Sequence, residues 1–337
     1  GARADDGRDP TRGAGALKAP GFWARDGARA RLLAPAGALY AAAGTLRWRL
    51  AHPPPPPLPV VCVGNATVGG TGKTPLTLDL LARLARRGRR VHALCRGHGG
   101  RLAGPVLVDP ARHRAADIGD EALLLAETAP TWVGRDRLAA ARAARAHGAD
   151  LAVLDDGLQY PWLVKHTSLL VVDAASGLGN GRVVPAGPLR EPFARARARA
   201  DAAVLVGDGA APPELAGLSA FRARLEPDGA SRALAGRRML AFAGIGRPEK
   251  FFETARAVGV DLVETRAFAD HHAFAAAELD ALEARAAALG AELLTTAKDA
   301  VRLPPDRRAR AVVLGVRVAW ADGASFDRWL DDRLCRR

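Results

Sequence analysis

The segment Gly64-Asn65-Ala66-Thr67-Val68-Gly69-Gly70-Thr71-Gly72-Lys73-Thr74 constrains this chain more than any other. It follows an apolar run at 60–63 that reads as a buried strand. It precedes a stretch, 75–87, with leucines at 76, 80, 81 and 84 at helical spacing. A glycine-rich turn between strand and helix can wrap its backbone N–H groups around phosphate oxygens, and the helix adds its positive N-terminal end. Gly69, Gly70, Thr71, Gly72, Lys73 and Thr74 are therefore the expected phosphate-binding residues. Lys73 would supply a mobile ammonium for the β- and γ-phosphates, and the Thr74 hydroxyl a ligand for Mg²⁺. The strict spacing of such loops has glycine at position 67, where this chain has Thr67; Gly69 and Gly70 supply the freedom instead.

Apolar runs at 91–95, 106–109, 151–155, 169–173 and 203–206 alternate with helical patterns near 120–128 and 135–147. That alternation predicts an α/β fold of the P-loop NTPase type, with a doubly wound, mainly parallel sheet. The run 151–155 ends in Asp155-Asp156. A strand-end acid at the carboxyl edge of the sheet is where P-loop enzymes direct an aspartate to Mg²⁺; the same pair would also serve as a turn cap. Pro212-Pro213 and the stretch 207–217 mark a boundary. Beyond it, strands near 239–242, 262–267, 292–296 and 311–318 and helices near 248–258, 276–289 and 323–334 predict a second, smaller α/β domain. The expected division is a disordered tail over 1–18, an N-terminal helical segment and proline-rich spacer over 19–58, a nucleotide-binding domain over 59–210, and the smaller domain over 211–337. A cleft between two such domains is a natural ligand site. Gly244-Ile245-Gly246 is too short a signal to mark a second nucleotide site.

Lys and Arg number 49 against 36 Asp and Glu, a net charge of +13. Such an excess favours an anionic partner: a phosphate-bearing ligand, nucleic acid or an acidic membrane surface. Aromatic residues make up 5% of the chain, without a basic–aromatic repeat, which argues against a nucleic-acid-binding ATPase. Cys62, Cys95 and Cys335 form no CxxC pair, so neither a disulfide scaffold nor a zinc ribbon is expected, and a reducing, cytoplasmic setting fits. The first 18 residues lack the apolar core of a secretory signal. The uncharged stretch 32–46, broken by Pro35, is shorter than the roughly 20 apolar residues of a spanning helix. Phe22, Trp23, Leu32, Leu33, Leu39, Tyr40, Trp48 and Leu50 stand among Arg25, Arg29, Arg31, Arg47 and Arg49. That mixture suits a helix lying in a membrane interface; an ordinary helix packed on the domain is the alternative. Pro53 to Pro57 form a stiff spacer.

From about Phe22 onward the chain resembles the tetraacyldisaccharide 4′-kinase family, the lipid A 4′-kinases. The resemblance rests on motifs spaced in one order: GNATVGGTGKTP at 64–75, CRGHGG at 95–100, GDE at 119–121, DDGLQY at 155–160, GPLREP at 187–192, FADHH at 268–272 and TTAKDAVRL at 295–303. It implies transfer of the ATP γ-phosphoryl group, with Mg²⁺, to the 4′-hydroxyl of an acylated glucosamine disaccharide 1-phosphate. The setting implied is the cytoplasmic face of the bacterial inner membrane. The partners are then that lipid and a membrane surface met peripherally or monotopically, with neither nucleic acid nor an obligate protein partner.

Carried over residue by residue, the resemblance puts the ATP phosphates on 69–74 with Lys73, and Mg²⁺ on Thr74, Asp155 and Glu191. Asp120 matches the group that activates the attacking hydroxyl, and His271 its histidine partner from the other domain, so that closure assembles the site. Asp156 and Gln159 match polar active-site positions, and Arg190 a basic residue near the phosphates or substrate. Phosphoryl transfer needs in-line positioning and charge neutralisation, a carboxylate in reach takes the hydroxyl proton, and a histidine orients it or shares the proton. Read alone, Asp120 would equally be a helix cap, and Asp270-His271-His272 a turn with capping groups; His272 rather than His271 is the alternative for the active ring. The chain departs from the family pattern at His98, Tyr160 and Ala297, where the family commonly has Tyr, His and Glu. A P-loop enzyme acting on a soluble metabolite is the main rival, and it predicts no role for residues 22–50.

Overall fold

The structure, a computed structural model, describes residues 20–335; the tail expected over 1–18 lies outside them. In chain order the strands are β1 (Val60–Asn65), β2 (Val91–Cys95), β3 (Val106–Leu107), β4 (Thr131–Val133), β5 (Leu151–Asp155), β6 (Thr167–Asp173) and β7 (Ala202–Val206). They continue as β8 (Ser219–Pro227), β9 (Arg238–Ala243), β10 (Asp261–Ala267), β11 (Glu292–Thr296), β12 (Ala311–Leu314) and β13 (Val316–Trp320). One sheet has the order β13-β8-β7-β6-β1-β5-β2-β4-β3, parallel throughout except for the antiparallel edge strands β13 and β3. The other, β10-β9-β11-β12, is entirely parallel.

Parallel strands covered on both faces must be apolar at every position, because no side points to water. That is why β1, β2, β5, β6 and β7 are mainly apolar, with polar residues such as Asn65, Asp155 and Asp173 at their ends, and are buried along their whole length. One face of the large sheet packs Val60, Cys62, Leu94 and Leu154 against Ala140, Ala141 and Ala144 of the helix Arg137–Ala146. The buried thiols of Cys62 and Cys95 are pushed up to about 12 by desolvation, so they behave as core apolar groups. β1 lies between β5 and β6, so the strand order reverses at the end of β1 and opens a crevice at the carboxyl edge.

The described chain forms two compact units. One runs to Ser231 and resumes at Gly315; the other spans Arg232–Leu314 and carries the four-stranded sheet. This division differs from a smaller domain running over 211–337. β8 joins the large sheet beside β7, and the apolar stretch 311–318 breaks into two strands belonging to different sheets. The break falls at Gly315, where a Cβ would lie 2.1 Å from Asp228 Oδ2, and where Ser231 Oγ donates to the Gly315 carbonyl and accepts from its N–H. Only glycine fits so close a crossing.

Two helices frame the site. Helix α1 (Ala28–Leu50) rests on the larger unit through small residues: Ala30 and Gly37 are buried, and a Cβ on Gly37 would meet the Val183 carbonyl at 2.8 Å. Trp23 Nε1 donates to the Pro185 carbonyl at 3.0 Å, Arg182 pairs with Asp26 at 2.8 Å, and Arg47 reaches the Gln159 carbonyl at 2.7 Å. The opposite side leaves Leu32, Leu39, Tyr40, Leu46 and Leu50 exposed. No helix among the described residues is long and apolar enough to cross a membrane. Helix α2 (Lys73–Arg86) instead buries Leu76, Leu80, Leu81 and Leu84. The C-terminal helix Gly323–Cys335 joins it through Arg83–Asp327 and Arg87–Asp331 ion pairs.

Candidate active site

The loop between β1 and α2 is organised by a residue that sequence reasoning did not single out. Asn65, fully buried at the end of β1, donates to the Thr67 carbonyl at 2.8 Å and to Thr71 Oγ1 at 3.1 Å. Its Oδ1 accepts from Lys73 Nζ at 3.2 Å. One amide thus closes the loop and aims the lysine. Its signal in the sequence is its place at the end of the strand, where the glycine-rich loop begins and an amide can bond in both directions.

Lys73 also lies 3.8 Å from Asp156. Asp156 follows β5 with a left-handed φ of 50°, a conformation that aspartate tolerates better than most residues. Its two oxygens accept from Arg190 Nη1 at 2.9 Å, while Arg190 Nε bonds the Thr67 carbonyl at 3.1 Å. Burial works against the Asp156 charge, but Lys73 and Arg190 hold its carboxyl below the usual range. Lys73, Asp156 and Arg190 are thereby brought together around the loop. Gln159 and Glu191 join them: Gln159 Nε2 bonds the Asn65 carbonyl at 2.9 Å and Glu191 Oε1 at 3.0 Å, and Glu191 pairs with Arg199.

Asp155 is the opposite case. It is fully buried, and desolvation together with the charges of Glu121 and Asp156 pushes it up to about 7. Thr77, one turn beyond Lys73 on α2, donates to it at 2.8 Å. The i,i+4 spacing from Lys73 was the signal for Thr77 in the sequence. Glu121 lies in the first turn of the helix Asp120–Ala126, and its charge is felt at Asp155. Asp120 is buried, and its Oδ1 accepts from the Glu121 N–H at 2.9 Å. The CRGHGG turn packs against the same place, since a Cβ on Gly119 would lie 2.4 Å from the His98 carbonyl. The Tyr160 ring stacks on the Arg137 guanidinium at 4.3 Å, and its hydroxyl accepts from the Arg137 N–H at 3.3 Å.

The donor set can be tested against Mg²⁺. Gln159 Oε1 is buried without a hydrogen-bond donor, and the buried carboxyl of Asp155 feels the negative charges of Glu121 and Asp156. Both features call for a cation. No three His, Cys, Asp or Glu side chains among the described residues form a ready-made metal cluster, as suits an ion that is held by one or two carboxylates, water and phosphates. The residues fit.

His271 belongs to the smaller unit. It has a left-handed φ of 58°; its Nε2 lies 3.5 Å from Lys298 Nζ and 3.9 Å from Asp270. His272 is committed elsewhere, with Nε2 on Glu278 at 2.8 Å and its ring against Phe268 and Phe274. The TTAKD motif builds the floor. Asp299 accepts from the Gly244 N–H at 3.0 Å and from Thr296 at 2.6 Å, and pairs with buried Arg302 at 2.9 Å. The Gly244 carbonyl then accepts from Arg302 and from the His271 N–H. Ala297 only opens the short helix that follows Thr296.

Comparison with known proteins follows the same lines. The family described as LpxK, tetraacyldisaccharide-1-P 4'-kinase, matches residues 29–335. A tetraacyldisaccharide 4'-kinase of Rhodospirillum centenum is 54% identical over 323 residues, covering 93% of this chain and 96% of that one. That of Gluconacetobacter diazotrophicus is 53% identical over 325 residues, covering 94% and 98%. Among solved structures, the "apo" form of LpxK from Aquifex aeolicus in complex with ATP superposes with a TM-score of 0.73 at 26% identity, covering 90% of this chain and 99% of that one.

Proposed function

This chain belongs to the tetraacyldisaccharide 4'-kinase family, and on that premise we propose how its own residues divide the work. The activity is that of a tetraacyldisaccharide 4'-kinase, an ATP-dependent step of lipid A biosynthesis. The observation that carries the site assignment is the grip of Asn65 and Asp156 on Lys73 at the carboxyl edge of the central strand. There the ammonium is pre-aimed at incoming phosphates. The backbone of 69–72 and the start of α2 cradle the β- and γ-phosphates of ATP, and Arg190 stands ready to exchange its carboxylate partner for a phosphoryl oxygen.

Thr74 and Asp155 would hold Mg²⁺, with Glu191 and Gln159 Oε1 beside it; when bound, the ion neutralises charge on the phosphate oxygens. The high proton affinity of Asp155 without that cation supports the assignment. Asp120 takes the proton of the attacking hydroxyl. His271 is its partner in the reacting state. Support for His271 over His272 comes from the bonds that already occupy the latter. The acceptor is the acylated disaccharide 1-phosphate. The exposed leucines of α1, flanked by arginines, bring the enzyme peripherally to the cytoplasmic face of the inner membrane, where that lipid resides.

The test is phosphoryl transfer from Mg·ATP to the disaccharide 1-phosphate in mixed micelles, read by mass spectrometry of the lipid. Asp120→Ala and His271→Ala should each slow transfer about 10²–10⁴-fold, and the double variant little further if the two act as a unit. Full activity in either single variant would remove that residue from the mechanism.

A further inference from the structure

Helix α1 buries only small residues against the larger unit, yet its last turn makes a contact of another kind. Arg47 Nη2 donates to the Gln159 carbonyl at 2.7 Å, and its guanidinium lies 5.4 Å over the Trp162 ring. One residue on, the Tyr160 carbonyl accepts from Lys165 Nζ, and that ammonium stands 5.1 Å from the ring of Trp48, also in the last turn of α1. Two successive carbonyls of one loop are therefore held by two cations, one carried by α1 and one seated against it. The helix dipole alone favours a basic residue in this turn. It asks only that Arg47 stay near the end of its own helix, and does not account for a bond to a loop 112 positions away.

The loop so held follows β5 and carries Asp156 and Gln159. Gln159 is bonded from both sides. Its carbonyl turns outward to Arg47, while its Nε2 turns inward to the Asn65 carbonyl at 2.9 Å and Glu191 Oε1 at 3.0 Å. The Asn65 side chain in turn accepts from Lys73 and donates to Thr71. A glutamine amide reaches two acceptors at once only when its backbone is placed for it, because two N–H groups on one nitrogen diverge by a fixed angle. The rings of Tyr160 and Trp162 meet edge-on at 5.7 Å, which keeps the outer half of the loop beside α1.

We propose that Arg47 and Lys165 are positioning residues: by seating this loop on α1 they hold Gln159 against Asn65 and Glu191, and so tie the affinity for Mg·ATP to the seating of α1. The inference rests on the reading that puts the ATP phosphates on 69–74 and Mg²⁺ beside Glu191 and Gln159. Neither cation is given a contact with nucleotide or acceptor; each acts through a backbone carbonyl. With that bond broken, the Gln159 carbonyl turns to water and its amide is free to leave one of its two acceptors. Positioning of this kind matters because phosphoryl transfer depends on geometry held to well under 1 Å. Helix α1 then has two duties, its exposed leucines facing outward and its last turn fixing the loop.

The experiment uses the full chain in mixed micelles, with Arg47→Gln, Arg47→Lys, Lys165→Met and the Arg47→Gln/Lys165→Met double variant. Lys165→Met keeps the apolar stem of a half-buried side chain and removes its charge. Each neutralising variant should raise KM for Mg·ATP about threefold and the double about tenfold, the size of couplings carried through packed side chains, with KM for the acceptor within about twofold. Arg47→Lys should recover most of the loss, since an ammonium can donate to the same carbonyl. Binding of Mg·ADP to the lipid-free protein should weaken by the same factors. An unchanged KM for Mg·ATP would overturn the proposal, and so would a rise confined to the acceptor KM, which would make the two cations lipid contacts. A lowered melting midpoint with unaltered nucleotide binding would leave them structural only. Arg47 is exposed, so its single variant decides the matter if the double fails to fold. If Lys73→Ala binds Mg·ADP as tightly as the wild type, it is the phosphate-site reading that falls.

Discussion

Helices α1 and α2 are both rich in leucine, and their leucines meet opposite surroundings. Leu80, Leu81 and Leu84 of α2 are 0% exposed, whereas Leu32, Leu39 and Leu46 of α1 are 81%, 74% and 57% exposed. α2 lies on β1, β2 and β5 and carries the C-terminal helix along its outer side, so its apolar side is consumed by the protein. α1 touches the body through Ala30 and Gly37, which leaves its larger apolar groups pointing away. Small residues settle which side of a helix docks, because they allow backbone to approach backbone. Leucine content alone does not say whether the partner is protein or lipid.

The comparison can be broken at several points. The largest effect is expected at the start of α2, where Lys73→Ala should lower phosphoryl transfer by about 10²–10³-fold, as for the loss of one preorganised charge-stabilising donor. The unfolding midpoint should barely move, because the lysine's bonds serve the loop rather than the core. Next comes burial itself. Leu80→Ala should cost about 2–5 kcal/mol of unfolding free energy, while Leu39→Ala should cost less than about 0.5 kcal/mol; urea denaturation separates them. Similar losses at both sites would mean that α1 is covered in solution.

Asp155→Asn sharpens the contrast between stability and function beside α2. With its carboxyl raised to about 7, the native state keeps a proton that the unfolded chain gives up near pH 4. Its contribution therefore falls as pH rises from about 4 to 7 and stays unfavourable above. The nucleotide-free variant should melt higher than the wild type at pH 8 and level with it near pH 4, while transferring no phosphate. A variant that melts lower at pH 8 would show that the carboxylate is stabilised by its surroundings after all. The smallest effect is at the surface: Leu39→Ser and Leu46→Ser should each weaken partitioning onto anionic vesicles about tenfold, for partial burial of one leucine, with acceptor turnover in detergent changed less than twofold. Unaltered partitioning would leave α1 an ordinary helix with an apolar side.

Much of the site was legible in the chain because its parts are local. A strand, a glycine turn and a helix carrying Lys73 and Thr74 lie within some 30 residues, and a strand that ends in Asp155-Asp156 announces itself in the same way. Asn65 and Thr77 escaped because each is chemically ordinary; their importance comes from bonds to Lys73 and Asp155, the second spanning 78 positions. The choice between His271 and His272 was equally closed to periodicity. Our proposal of His271 rests on Glu278 and two phenylalanines folding back onto His272.

By itself the sequence determined that the sheet would be mainly parallel and buried, that a glycine-rich loop would join strand to helix at 64–74, and that a basic, aromatic-containing helix would precede them. Periodicity and spacing suffice for these, since they follow from neighbours along the chain. Only the tertiary structure decided that Asp156 sits between Lys73 and Arg190, that the apolar stretch 311–318 breaks at Gly315 to serve two sheets, and which side of α1 faces outward. Those outcomes depend on residues 34 to 146 positions apart meeting at one place. Strand order and close backbone approach set such meetings, and neither is written in any local pattern.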